Sequence, residues 1–135
     1  MRLGRVLPAL AAVAALVFAG TAAAAPAHAQ PATVVGCDVD YTVPVHWGPG
    51  VGFVGQVIVT NTGNVDAVWR VEITFLSSDV THSWNGVFTV GPQSVIIEPA
   101  SWDPMLTPGQ VSITAGFTGT GDGVPSSISV TCTSV

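Results

Sequence analysis

From residue 37 onward, apolar and polar side chains alternate with a period of two. Cys37, Val39, Tyr41 and Val43 are separated by Asp38, Asp40 and Thr42, and Trp69, Val71, Ile73 and Phe75 by Arg70, Glu72 and Thr74. Val111, Ile113, Ala115 and Phe117 alternate with Ser112, Thr114 and Gly116, and Ile128, Val130 and Cys132 with Ser129 and Thr131. Successive side chains of an extended strand point to opposite faces, so each stretch predicts a strand with one buried and one wet face. Further strands are predicted around 55–61, 86–90 and 93–98. Turn signals separate them: Gly48-Pro49-Gly50, Asn61-Thr62-Gly63-Asn64, Asn85-Gly86, Gly91-Pro92 and Thr107-Pro108-Gly109. No window after residue 36 carries a helical stripe. Many short strands with frequent turns predict an all-β, antiparallel domain, a sandwich or a barrel.

The N-terminal part reads differently. Arg2 and Arg5 precede an apolar run from Val6 to about Gly20, and an Ala-rich stretch leads to Ala27-His28-Ala29 before Gln30. A basic start, an apolar run and a small-x-small site form the pattern of a secretory signal peptide. The run contains Pro8, is short for a membrane span and has no basic stop-transfer flank. The expected organisation is a signal peptide at 1–29, a short tail at 30–36 and one domain at 37–135, secreted to the extracellular space.

This cleavage changes the charge. The whole chain carries a formal −5 with 48% hydrophobic residues. Without Arg2 and Arg5, Arg70 alone faces eight acids (Asp38, Asp40, Asp66, Glu72, Asp79, Glu98, Asp103 and Asp122), a balance of −7. Such a domain has no cationic patch for nucleic acid or an anionic membrane, and it is expected to be a monomer with a neutral or cationic ligand. Cys37 and Cys132, at opposite ends of an exported domain, predict a structural disulfide. Closing a loop of nearly the whole domain contributes ~4–5 kcal/mol in the chain-entropy view. Two isolated cysteines with His46 and His82 lack metal-site spacing, so no metal and no cofactor are expected.

Four of the ten aromatic residues are Trp. Trp69 shares the apolar phase of Val71, Ile73 and Phe75 and is expected in the core. The others sit in polar turn contexts: His46-Trp47-Gly48, His82-Ser83-Trp84-Asn85-Gly86 and Ser101-Trp102-Asp103-Pro104. Three rings in such positions predict either caps on the fold or a contact surface. A row of indoles suits sugar rings, whose axial C–H face is apolar and slightly electropositive against the negative π face. That ligand is neutral, which suits a domain with almost no cationic side chains.

The ordered set of motifs resembles family 2 carbohydrate-binding modules, the bacterial cellulose-binding type. The set runs from Gly36-Cys37 with its alternating strand, through Trp47, Gly52-Phe53, Val57-Ile58-Val59-Thr60-Asn61-Thr62-Gly63 and Trp69 to Phe75. It continues with Trp84-Asn85, Ala100-Ser101-Trp102, Pro108-Gly109, Gly116-Phe117 and Cys132. The resemblance implies a nine-stranded antiparallel β-sandwich, jelly-roll or immunoglobulin-like, with its terminal strands joined by the disulfide. It implies that Trp47, Trp84 and Trp102 form a planar strip on cellulose or chitin. It also implies that Gln56, His82, Thr114 and Thr118 hydrogen-bond sugar hydroxyls at the rim. A third surface Trp and the absence of an Arg after Trp47 match the cellulose-binding branch rather than the xylan-binding one. The chain departs from the family at Val45, Val68 and Asp103 and in a longer turn after Trp47.

Two other readings compete. Glycoside hydrolysis needs two carboxylates across a cleft, and the acids here are scattered over strand polar phases and turns. A copper-dependent polysaccharide monooxygenase would need His28 as its N-terminus, which requires cleavage after Ala27. A secreted adhesion or structural sandwich remains as a non-carbohydrate alternative.

Overall fold

The computed structural model describes residues 32–135; the expected signal peptide, including His28, lies outside the described residues. Among the described residues there are eight strands: β1 (Cys37–His46), β2 (Phe53–Asn61), β3 (Ala67–Phe75), β4 (Asp79–Trp84), β5 (Gly86–Gly91), β6 (Ser94–Pro99), β7 (Ala115–Thr120) and β8 (Pro125–Ser134). They form two antiparallel four-stranded sheets, ordered β1-β2-β7-β4 and β5-β6-β3-β8. The alternative of sandwich or barrel is thus resolved as a sandwich.

The alternation does what period two requires. On β3 every second residue from Ala67 to Phe75 is buried, and Val68, Arg70, Glu72 and Thr74 face solvent. The core consists of Phe53, Val57 and Val59 from β2 and Ala115 and Phe117 from β7, facing Trp69, Val71, Ile73 and Phe75 of β3 and Val95 and Ile97 of β6. Tyr41, Phe53, Phe75 and Phe117 make a ring cluster with centroids 5.8–6.4 Å apart, mostly tilted or edge-to-face, the geometry that aromatic quadrupoles favour. Trp69 is 2% exposed, as its phase predicted, and pairs with Cys132 in the β3–β8 ladder. Cys37 and Cys132 form the disulfide, with Cα atoms 5.9 Å apart, and it links edge strands β1 and β8 of the two sheets.

Two expectations need correction. The stretch 111–117 is not one strand with Val111 and Ile113 inward: β7 begins only at Ala115, Val111 is exposed and Ser112 is buried. The Ser112 hydroxyl accepts a hydrogen bond from Val59 N at 2.9 Å while Ser112 N donates to Val59 O at 2.7 Å. These two hydrogen bonds to Val59, far away in the sequence, satisfy the polar residue inside. The ninth strand is absent among the described residues for a related reason. Residues 100–114 cross from one sheet to the other through single bridges, Ala67 to Leu106 and Thr60 to Val111. Pro104 and Pro108 supply no N–H for a longer ladder.

Asn61 holds that crossing. It is 1% exposed. Its Nδ2 donates to Val65 O at 2.8 Å and Leu106 O at 2.9 Å, and its Oδ1 accepts from Gly63 N at 2.9 Å. Its backbone bonds Gly109 N and Gln110 O, so five polar groups converge on one residue. Buried partners stranded by its loss cost ~1–3 kcal/mol each. Asn61→Ala is expected to lower stability by ~2–4 kcal/mol in chemical denaturation. Val68→Thr, on the wet face of β3, is expected to change it by less than ~0.5 kcal/mol.

Candidate binding face

The outer face of the β1-β2-β7-β4 sheet is set by ladder register. Gln56 pairs with Thr42 on one side and Gly116 on the other, and Gly116 pairs with Trp84. One row therefore reads Thr42, Gln56, Gly116, Trp84 across the sheet. The next row brings Val54, Thr118 and His82 together. All of these are in the phase opposite to the buried Phe53, Val57 and Phe117, so they point away from the core. A register shift between Val80 and His82 puts the His82 ring on this face. At that bulge the Thr81 hydroxyl donates to Thr118 O at 3.2 Å.

Trp84, read from the sequence as a turn residue, is instead the last residue of β4. Its indole lies directly on β7: a Cβ placed on Gly116 would overlap Cε2, Cζ2 and Nε1. Gly116 has no side chain, and that is why the ring can lie on the backbone. Trp47 lies over a second glycine, where a Cβ on Gly52 would stand 3.0 Å from its Cε3. Its backbone N donates to Gly52 O at 2.9 Å, which closes the 47–52 loop. The three turn-context indoles are 59% (Trp47), 40% (Trp84) and 67% (Trp102) exposed, whereas Trp69 is 2%. Exposed rings of this size make a candidate contact surface.

The Trp47 loop is tied to a rigid corner. Gly50 N donates to Asp122 Oδ1 at 2.7 Å. Next to Asp122, Gly123 N donates to the buried Ser78 hydroxyl at 2.8 Å, and Gly123 O accepts from the Tyr41 hydroxyl at 2.7 Å. Gly123 has φ +70°, and a Cβ there would overlap the Phe53 ring. Burial pushes the Tyr41 phenol well above its ordinary pKa, so it remains a donor.

Trp102 sits on the turn beyond β6, where Asp103 N donates to Ala100 O at 3.0 Å. Register brings that turn near Trp84, because Pro99, at the end of β6, pairs with Gly86, two residues after Trp84. Between them Asn85, with φ 60°, donates through Nδ2 to Thr114 O at 3.2 Å. Of the residues picked out from the sequence, Gln56, His82, Trp84 and Thr118 share the outer face through the ladders, and Trp47 joins them over Gly52. Thr114 and Trp102 lie off the ladders, at the Asn85 corner. Sequence reasoning missed Gly52, Gly116 and Asp122 as the supports of the rings. Each is ordinary in the sequence until register shows what lies above it.

A model of the cellulose binding domain family matches residues 37–135. Chitinase 63 of Streptomyces plicatus is 36% identical over 128 residues, which cover 93% of this chain and 20% of that protein. The chain thus spans about a fifth of that relative's length. Among solved structures, the chitin-binding domain of Chi18aC from Streptomyces coelicolor aligns with a TM-score of 0.58 and 29% identity over 70% of this chain and 89% of that one. The cellulose-binding family 2 carbohydrate binding domain of ScLPMO10C aligns with a TM-score of 0.54 and 26% identity over 76% and 99%.

Gly116→Ala is expected to lift the Trp84 indole off β7 without removing a ring. Acrylamide quenching of tryptophan fluorescence should rise relative to wild type, while the unfolding midpoint moves little.

Proposed function

The chain belongs to the family of cellulose binding domains, and on that footing we propose that it is a secreted, non-catalytic module for insoluble β-linked polysaccharide. Cellulose and chitin both present flat sugar faces, and Trp47, Trp84 and Trp102 stack on them. The observation that carries this reading is the seating of two indoles on one sheet face, over Gly52 and Gly116. Gly52 adjoins Phe53, the ladder partner of Gly119. Continuing that antiparallel register sets Gly52 opposite Thr120, four residues from Gly116 on β7 and in the same facing phase, so the two seats are ~13 Å apart along the strands. Two solved domains similar to this one are described as chitin-binding and cellulose-binding, which supports the same ligand class.

The energetics are sufficient. A ring that removes ~100 Å² of apolar area from water gains ~2.5 kcal/mol. One ring is then offset by an association cost of ~4 kcal/mol or more, and three are not. Gln56, His82, Thr114 and Thr118 add hydrogen bonds to hydroxyls at the margins. Hydrolysis would need paired carboxylates across a cleft, and among the described residues a single acid, Asp122, lines the cleft between His46 and Pro125.

The test is depletion from solution by microcrystalline cellulose and by chitin powder. Wild type should sediment with the solid, and raising the salt to 1 M should change this little, because stacking is not a charge effect. Trp47→Ala, Trp84→Ala and Trp102→Ala should each lose ~1–3 kcal/mol of binding with stability nearly kept, and Trp69→Ala should lose ~3–5 kcal/mol of stability. If wild type stays in the supernatant with both solids, the proposal fails.

A further inference from the structure

The sandwich is stapled at one edge corner and open at the other. Strands β1 and β8 meet at Cys37–Cys132, whereas at the far ends, His46 and Pro125, the two sheet edges part around a cleft of about 570 Å³. This volume lies in the range of sites that hold small molecules. Its walls include Tyr41, Val43, His46, Asp122, Val124 and Ile128. Tyr41 and Val43 belong to the inward phase of β1, so the cleft is distinct from the outer face that carries Gln56 and Trp84.

It is nevertheless continuous with Trp47. His46 precedes that residue, Pro49 of the same loop lines the cleft, and Asp122 in its wall holds Gly50 N at 2.7 Å. A sugar chain passing over Trp47 reaches the edge of the sheet at the cleft mouth.

The lining selects the occupant. Val43, Val124 and Ile128 present aliphatic carbon, which would leave a hydroxyl without a partner. The polar groups are few: the Asp122 carboxylate, the His46 imidazole and the Tyr41 oxygen. The Tyr41 proton is committed to Gly123 O at 2.7 Å, so toward a ligand that oxygen accepts only. A group that ends in a methyl and carries one N–H and one C=O suits this set. The methyl packs on the aliphatic wall, the amide N–H donates to Asp122 or Tyr41, and the carbonyl accepts from a His46 N–H. The 2-acetamido substituent of an N-acetylated sugar is such a group, and cellulose has none. We propose that this cleft is a subsite for the N-acetylglucosamine residue at the edge or end of a chitin chain bound over Trp47. The proposal rests on the polysaccharide-binding reading above and adds a preference to it.

The experiment uses the mature secreted protein, isotopically labelled, titrated with chitotetraose and with cellotetraose while backbone amide shifts are followed. Chitotetraose should shift Val43, Val124 and Ile128 together with the surface Trp residues, and cellotetraose should shift the Trp residues only. In parallel, Val124→Lys, whose side chain lies at the exposed cleft wall, is compared with wild type on the two solids. Chitin binding should fall about tenfold, the scale of losing one hydrogen bond and a methyl contact. Cellulose binding should stay as in wild type, which also shows that the variant is folded. If the two oligosaccharides give the same shifts, or Val124→Lys binds chitin as wild type does, the subsite is overturned and the tryptophan face stands. If wild type binds neither solid, both fall. The shift map of the wild type decides on its own if the variant does not fold.

Discussion

The pairing of β2 with β7 is the constraint on which the rest depends. Phe53 opposes Gly119 and Gly55 opposes Phe117 on the inner face, while Gln56 opposes Gly116 on the outer one. Each large inward ring thus faces a glycine, and a Cβ on Gly55 would stand 2.6 Å from Phe117. The same ladder puts the bare backbone of Gly116 outward, under Trp84. A slip of one residue would turn Phe117 to solvent and bury Thr118, exchanging core and face together. Core packing and ring seating are therefore two sides of one register.

The loops of the outer face are tied to buried groups. The Trp47 loop is held by Asp122, and its neighbour Gly123 is fixed by Ser78 and Tyr41. The crossing that carries Trp102 is held by Asn61 and, further on, by Ser112. Rings that are in place before a ligand arrives lose little freedom on binding, and this preorganisation lets a few contacts give useful affinity.

Much of the fold was legible in the sequence, because period two is read directly from side-chain polarity. β1, β3 and β8 and the buried Trp69 follow from it, and the disulfide follows from two cysteines at the ends of a domain read as exported. β4 was hidden: a bulge at Thr81 breaks its alternation, and only Val80 of its six residues is buried. The phase of 111–114 was misread because Ser112 trades its polarity for two hydrogen bonds with Val59. Of the face, the indoles were legible as Trp in polar surroundings, but their seats were not. Gly52 and Gly116 matter through what crosses above them, and crossing is a property of register. The cleft between β1 and β8 has no local signal, because it arises where two edges part.

The central claim is that three indoles, and not the fourth, lie against the sugar surface. N-bromosuccinimide oxidation with peptide mapping, on free protein and on protein bound to microcrystalline cellulose, tests it most directly. The account predicts that Trp47, Trp84 and Trp102 react in the free protein and are protected on the solid, while Trp69 is unreactive in both. Equal reactivity of the three rings in bound and free protein would contradict it.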